Sequence, residues 1–144
     1  VEIIKGHRTS TSTLSSIEAL TKKIEKVPLV AADYPGFVAN RILLPMINEA
    51  IEALFQGVAD VMTIDEMMKL GMGHPMGPLR LADFIGLDVC LSILEVLHQG
   101  FEKDKYAPCP LLKNMVAAGK LGVKSKSGFY DYHEDPRNPQ PTIF

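Results

Sequence analysis

Tryptophan is absent from the 144 residues, and cysteine occurs only twice, at Cys90 and Cys109. Two cysteines far apart, with no C-x-x-C pair and no histidine cluster beside them, exclude a disulfide framework and a thiolate zinc site and leave two reduced, structural thiols. An excess of charge is also missing, because 15 Lys plus Arg stand against 17 Asp plus Glu, a net charge of −2. Such a balance gives no field suited to a nucleic-acid backbone or an anionic membrane, so neither is expected as a partner and any anionic ligand must be held by local groups. No apolar run approaches the ~20 residues of a membrane span, and the first residues lack the charged and apolar regions of a secretory signal. The chain is therefore expected to be soluble and intracellular. It begins with Val rather than Met, in a stretch (Val1-Glu2-Ile3-Ile4) that reads like the middle of a strand, which suggests a fragment or a processed chain.

Familiar catalytic signatures are missing as well. Gly71-x-Gly73-x-x-x-Gly77 approximates a dinucleotide fingerprint, but its last glycine is one position too far and the segment before it reads as a capped helix, not a strand. No βαβ stretch followed by an acidic residue is read anywhere, so a nicotinamide cofactor is expected to be bound outside this chain. His7, His74, His98 and His133 are scattered, with no i, i+4 pair, and no metal site is expected. There is no G-x-S-x-G elbow and no Walker loop, which leaves hydrolase and kinase readings without support.

What is present is the composition of one globular domain, 47% hydrophobic and 22% charged. Val1–Ile4 is strand-like. Leu14, Ile17, Leu20 or Thr21, and Ile24 then recur at helical spacing, with Ser15 and Glu18 in the form of a capping box. Val27–Ala32 reads as a short buried strand, stopped by Asp33-Tyr34-Pro35-Gly36. From Phe37 to about Phe55 apolar residues cover more than one stripe, which predicts a helix buried on two sides and loosened by Pro45 near Arg41. Thr63 and Glu66 form a second capping box, flanked by Met62 and Met67 as a staple, and Gly71 reads as the end of that helix. A rigid turn follows, and Pro78 suits the first position of a short helix, Leu79–Ile85. Gly86 breaks it, Asp88 can cap the next helix, and Pro108 and Pro110 open another that runs to Ala118. The remainder to Tyr132 is a loop tied down by aromatics, and the Pro-rich residues 133–144 form an extended tail beyond a domain of residues 1–132. The architecture expected is all-α, with extended segments only at Val1–Ile4 and Val27–Ala32.

Polar residues at apolar positions are the candidates for chemistry. Asn40 and Arg41 open the long helix directly after a Pro-Gly turn, where free N–H groups and an amide could hold a carbonyl or anionic oxygen; the alternative is that Asn40 bonds nearby backbone. Glu2 reads as a solvated end residue unless something outside the chain pairs with it. Lys124 and Lys126, in a Ser/Gly loop, read as solvated charges with phosphate binding as the sharper alternative.

In order along the chain stand Val1-Glu2, Asp33-x-Pro35-Gly36-Phe37-x-x-Asn40-Arg41, Pro45, Glu49-Ala50, Gly71-x-Gly73-x-Pro75-x-Gly77-Pro78, Asp83, Gly86-Leu87-Asp88 and Gly128-Phe129-Tyr130. Together they closely resemble the C-terminal domain of the 3-hydroxyacyl-CoA dehydrogenases, from the first residue to about Tyr132. The resemblance implies NAD-dependent, reversible oxidation of a 3-hydroxyacyl-CoA to the 3-oxoacyl-CoA, as in fatty-acid or butyrate-type metabolism, with 3-hydroxybutyryl-CoA as the first substrate expected. It further implies an N-terminal Rossmann domain that carries NAD and a catalytic histidine. Glu2 would orient that histidine and Asn40 would position it and the substrate oxygen. Lys124 would reach the cofactor, although the glycine usual between it and Gly128 is replaced by Lys126. Pro75, Met76, Gly77 and Pro78 would border the acyl pocket. A homodimer through the helical domain, which would cover the outer face of the Phe37–Phe55 helix, and a cytoplasmic location, with mitochondrial matrix or peroxisome as alternatives, complete the expectations. A stand-alone dimerisation or acyl-CoA-binding module, and a dehydrogenase of free hydroxy acids, are the competing readings.

Overall fold

The computed structural model describes residues Val1–Phe144. Strand β1 (Glu2–Lys5) and strand β2 (Leu29–Ala32) pair in parallel, Glu2 opposite Leu29 through Lys5 opposite Ala32, with helix α1 (Thr11–Lys23) as the crossover. This is a βαβ unit, and it corrects the expectation that none exists. Four-residue strands carry too little pattern to announce a parallel pair, whose partners need a helical crossover between them. The β1–α1 junction contains the single glycine Gly6 and no dinucleotide fingerprint. The second strand is not buried as expected: Leu29 is 65% and Val30 46% exposed, because a two-stranded ribbon with one helix covers little of its own surface.

Two helix starts follow a nearby side-chain acceptor, which moves the expected boundaries. The α1 cap is Ser10, whose hydroxyl accepts from Thr13 N–H at 3.1 Å, so the Ser15/Glu18 pair lies inside the helix. Helix α3 (Val61–Met72) is capped by Asp60, whose carboxylate accepts from Thr63 N–H at 2.7 Å, which places the Thr63/Glu66 pair inside as well. A carboxylate at the helix start also meets the positive end of the dipole. The end of α3 is Gly73, with φ 68°, rather than Gly71, which stays helical.

Helix α2 (Ala39–Phe55) runs continuously through Pro45. Its buried positions, Leu44, Ile47, Asn48, Ile51 and Leu54, form one stripe, whereas Ile42 and Phe55 are 69% and 53% exposed. Within the chain the helix is thus buried on one side, not two. The stripe packs on helix α4 (Pro78–Ile85), helix α5 (Leu87–Phe101) and helix α6 (Pro110–Ala117) around Leu79, Leu94, Leu97, Leu112 and Phe129. Asn48 is buried in this core but fully satisfied: its amide donates to Ala107 O at 3.0 Å and accepts from Cys109 N–H at 2.9 Å, fastening the α5–α6 connection.

Beyond α6 the chain makes a 3-10 turn (Val123–Ser125), and the short strands β3 (Tyr130–Asp131) and β4 (Gln140–Pro141) pair antiparallel. Residues after His133 therefore fold back: Thr142 N–H donates to Phe129 O at 2.9 Å and the Phe144 ring lies 5.8 Å from that of Phe129. No helix is long and apolar enough to cross a membrane.

Candidate active site

The segment between β2 and α2 gathers the predicted residues. Pro35 lies on the bare Cα of Gly100, and Gly36 lies against Leu97, so the turn is seated on α5 where side chains at either glycine would collide. Gly36 and Phe37 both take left-handed backbone (φ 71° and 52°). For Phe37 this is uncommon, and such conformations persist where surrounding structure enforces them. The enforcing contact is at the next residue, where Val38 N–H donates to Glu2 Oε1 at 2.7 Å. A carboxylate at the start of β1 is thereby held against the turn that opens α2, and Asn40 stands two residues on.

Asn40 faces a cleft of about 390 Å³ between the start of α2 and the outer side of α5. Its walls are apolar at Phe37, Val89, Ile93 and Val96 and polar at Asn40, Asp88 and Ser92. No group of the chain bonds the Asn40 amide, contrary to the alternative that it only ties down backbone, so both its donors and its acceptor are free for a ligand. Arg41 turns elsewhere, with its guanidinium 4.4 Å from the centre of the Phe101 ring.

Lys124 does not line the cleft, but it is joined to it. Its ammonium pairs with Asp88, which holds that carboxyl below the usual carboxylate range. Lys126 adopts φ 59°, so the loop keeps the left-handed turn that a glycine would make there.

The Pro75-Met76-Gly77-Pro78 turn is not brought together with Glu2, Asn40 and Lys124. It is built onto Asp65: a Cβ on Gly77 would overlap that side chain, whose carboxylate accepts from Leu79 N–H (2.8 Å) and Arg80 N–H (2.9 Å), capping α4. Tyr130 Oη donates to the same group at 2.8 Å. A second buried carboxylate, Asp83, accepts from Phe129 N–H (3.0 Å), Tyr130 N–H (2.8 Å) and Tyr132 Oη (3.1 Å). Burial pushes Asp65 up and Asp83 up to about 6, against the opposing pull of these donors. Burial likewise raises the Tyr130 and Tyr132 phenols, with the neighbouring carboxylates adding to it. These four side chains lock the 122–132 segment to α3 and α4. Sequence reading missed the role of Asp65 and Asp83; two acids at helix positions among apolar neighbours, followed by a Gly-Phe-Tyr-x-Tyr run, were the available signal.

Burial raises the thiols of Cys90, to about 12, and Cys109, to about 11, with Asp83 and Asp88 adding to the first and Glu52 to the second, which removes both as nucleophiles and agrees with structural thiols. No group of His, Cys, Asp and Glu could hold a metal ion.

The helical domain thus offers an amide in an apolar cleft, two residues beyond a backbone N–H that holds a carboxylate of the neighbouring βαβ unit. Residues 36–132 match the family model described as 3-hydroxyacyl-CoA dehydrogenase, C-terminal domain, and the chain belongs to that family. It is 60% identical over 134 residues to the "Probable 3-hydroxybutyryl-CoA dehydrogenase" of Bacillus subtilis, covering 93% of this chain and 47% of that protein. It is 54% identical over 142 residues to the 3-hydroxybutyryl-CoA dehydrogenase of Bradyrhizobium diazoefficiens, covering 99% of this chain and 48% of that one. The crystal structure of (S)-3-hydroxybutyryl-CoA dehydrogenase from Ralstonia eutropha superposes with a TM-score of 0.90 at 51% identity, over 92% of this chain and 47% of that one. The chain spans about half the length of the curated relatives it matches.

Proposed function

We propose that this chain is the substrate-side half of an NAD-dependent 3-hydroxyacyl-CoA dehydrogenase, acting on 3-hydroxybutyryl-CoA or a similar short thioester. The observation that carries the reading is the Glu2–Val38 hydrogen bond, which holds a carboxylate against the turn that opens α2, two residues before the Asn40 amide. Glu2 Oε2 remains available to accept from an imidazole supplied by another part of the protein. A carboxylate behind an imidazole holds its tautomer and favours the protonated form, so the ring can take the proton of the substrate 3-hydroxyl. Asn40 then donates to the oxygen as it becomes a carbonyl, and the apolar walls of the cleft exclude water. NAD, when bound, accepts the hydride leaving C3.

Of the cofactor contacts, the residues present fit one, at Lys124, whose side chain is 46% exposed. With no glycine-rich strand-to-helix turn here, the pyrophosphate falls to residues elsewhere in the protein. In support of such a division, the βαβ unit leaves Leu20, Ile24, Val27 and Leu29 more than half exposed, an apolar face of the kind a further domain covers.

We assign the reaction to the cytoplasm and the active species to a homodimer. The most exposed apolar stripe is on α3, with Met62 51%, Met67 66% and Leu70 82% exposed, and its Met62 end lies beside the exposed Phe55 at the end of α2. Sedimentation of the complete protein should give a dimer, shifted toward monomer by Leu70→Glu. The Pro75–Pro78 turn acts through α4, and a direct role at the acyl group would appear as a raised KM for acyl-CoA in Met76→Ala.

The test is NADH consumption by the complete polypeptide with acetoacetyl-CoA and, separately, free acetoacetate. Turnover of the thioester, lowered more than about tenfold in kcat by Asn40→Ala, is expected. Preference for the free acid would transfer the reading to hydroxy-acid dehydrogenation, and no turnover of either would leave a non-catalytic acyl-CoA-binding module.

A further inference from the structure

Lys124 is delivered to the cleft margin by an unusually well fastened strap. Gly122 lies on the backbone of Asp83 so closely that a Cβ would overlap it, Leu87 N–H donates to Leu121 O at 3.2 Å, and Asp83 holds Phe129 and Tyr130. From the turn between these anchors the Lys124 side chain crosses Gly86, where an added Cβ would come within 3.2 Å of Nζ and 3.1 Å of Asp88 Oδ1. Gly86 also has φ 103°, so the bare crossing point is required twice over. At its end the ammonium spans the Asp88 carboxylate, donating to Oδ2 and in ion-pair contact with the enclosed Oδ1. Asp88 in turn lines the same cleft as Asn40.

Resting on the reading of Lys124 as a cofactor contact, we infer that Asp88 is a positioning residue that aims the Lys124 ammonium, and that the pair serves an uncharged oxygen of the dinucleotide, a ribose hydroxyl or carboxamide, rather than a phosphate. The geometry and the charge both lead there. An ammonium has three N–H donors, and the pairing with Asp88 leaves donors free on a half-exposed side chain. Its charge, however, is already matched by Asp88, so the pair as a whole offers direction without net attraction for an anion. A lysine meant for phosphate would be left unpaired, because an adjacent carboxylate repels the ligand it should bind.

The experiment uses the complete enzyme and reads NADH affinity by fluorescence titration, with kcat and KM for acetoacetyl-CoA, for Lys124→Met, Asp88→Asn, Asp88→Glu and the Lys124→Met/Asp88→Asn double variant. The expected result is about tenfold weaker NADH binding in each single variant, no further loss in the double, and partial recovery in Asp88→Glu. The salt dependence of NADH binding should be the same with and without Lys124. Silence of Lys124→Met overturns the cofactor reading of Lys124 and the inference with it. Loss in Lys124→Met with Asp88→Asn silent, or additive losses, overturns the inference alone. Tighter NADH binding in Asp88→Asn, with a salt dependence abolished by Lys124→Met, would make this a phosphate contact that Asp88 opposes.

Discussion

Replacing Asp83 by Ala tests the central packing argument. Three buried donors, Phe129 N–H, Tyr130 N–H and Tyr132 Oη, converge on its carboxylate, which is itself 1% exposed. Each donor left unpaired costs about 1–3 kcal/mol. Against this, the carboxylate is no longer desolvated: displacement of its pKa from 3.8 to about 6 corresponds to about 3 kcal/mol at neutral pH. The balance is a net loss of up to about 6 kcal/mol at pH 7, about 3 at the middle of the range, measured by urea unfolding followed by circular dichroism. The pH dependence has a definite sign. A folded-state pKa above the unfolded value means that the folded chain holds the proton more tightly. The Asp83 contribution is therefore greatest below 3.8 and is withdrawn as pH rises through about 6. The stability gap between wild type and Asp83→Asn should narrow between pH 4 and 7, a comparison in which the remaining carboxylates cancel. A gain in stability in Asp83→Ala, or a gap that widens with pH, would refute the reasoning.

Gly128→Ala should be at least as damaging, since the new methyl would occupy the position of the Asp83 carboxylate; equilibrium unfolding should show a loss of about 3 kcal/mol. Asp60→Ala removes the α3 cap and should cost about 1 kcal/mol by the same measurement, whereas Ser15→Ala, inside α1, should cost less than about 0.5. Glu2→Gln keeps an acceptor for Val38 N–H and should fold normally, yet lower kcat in the complete enzyme and shift its pH profile to lower pH, as expected when an imidazolium loses its carboxylate. Cys90 and Cys109, both buried, should resist a thiol-specific reagent until urea unfolds the chain.

Helix positions were legible in the sequence because their apolar spacing survives in one dimension: Ile47, Ile51 and Leu54 fall at helical spacing in the sequence and are buried on one stripe in the fold. Starts and stops were less so. Ser10 and Asp60 outcompeted the capping boxes downstream because one acceptor at the right place suffices, and Gly73 rather than Gly71 ended α3 although both are glycines. The parallel ribbon was invisible as a pair, since Glu2–Lys5 and Leu29–Ala32 are joined by register and not by any local signal. The same holds for the Asp83 clasp, whose partners lie 46 to 49 residues away. For the site, Asn40 was marked by an amide at a helix start. Asp88 had been read only as a helix cap, and its pairing with Lys124 depends on a strap folded back from beyond α6.

The Glu2–Val38 hydrogen bond joins two bodies with different loyalties: Glu2 moves with the ribbon and whatever rests on it, Val38 with the helices. Any swing of one against the other must break or lengthen that bond before the Asn40 side of the opening loses its carboxylate. The amide proton of Val38 is thus a built-in gauge of closure. Its exchange with solvent should slow when both substrates are bound and quicken in Glu2→Ala, reporting on the assembled site without any chemistry taking place.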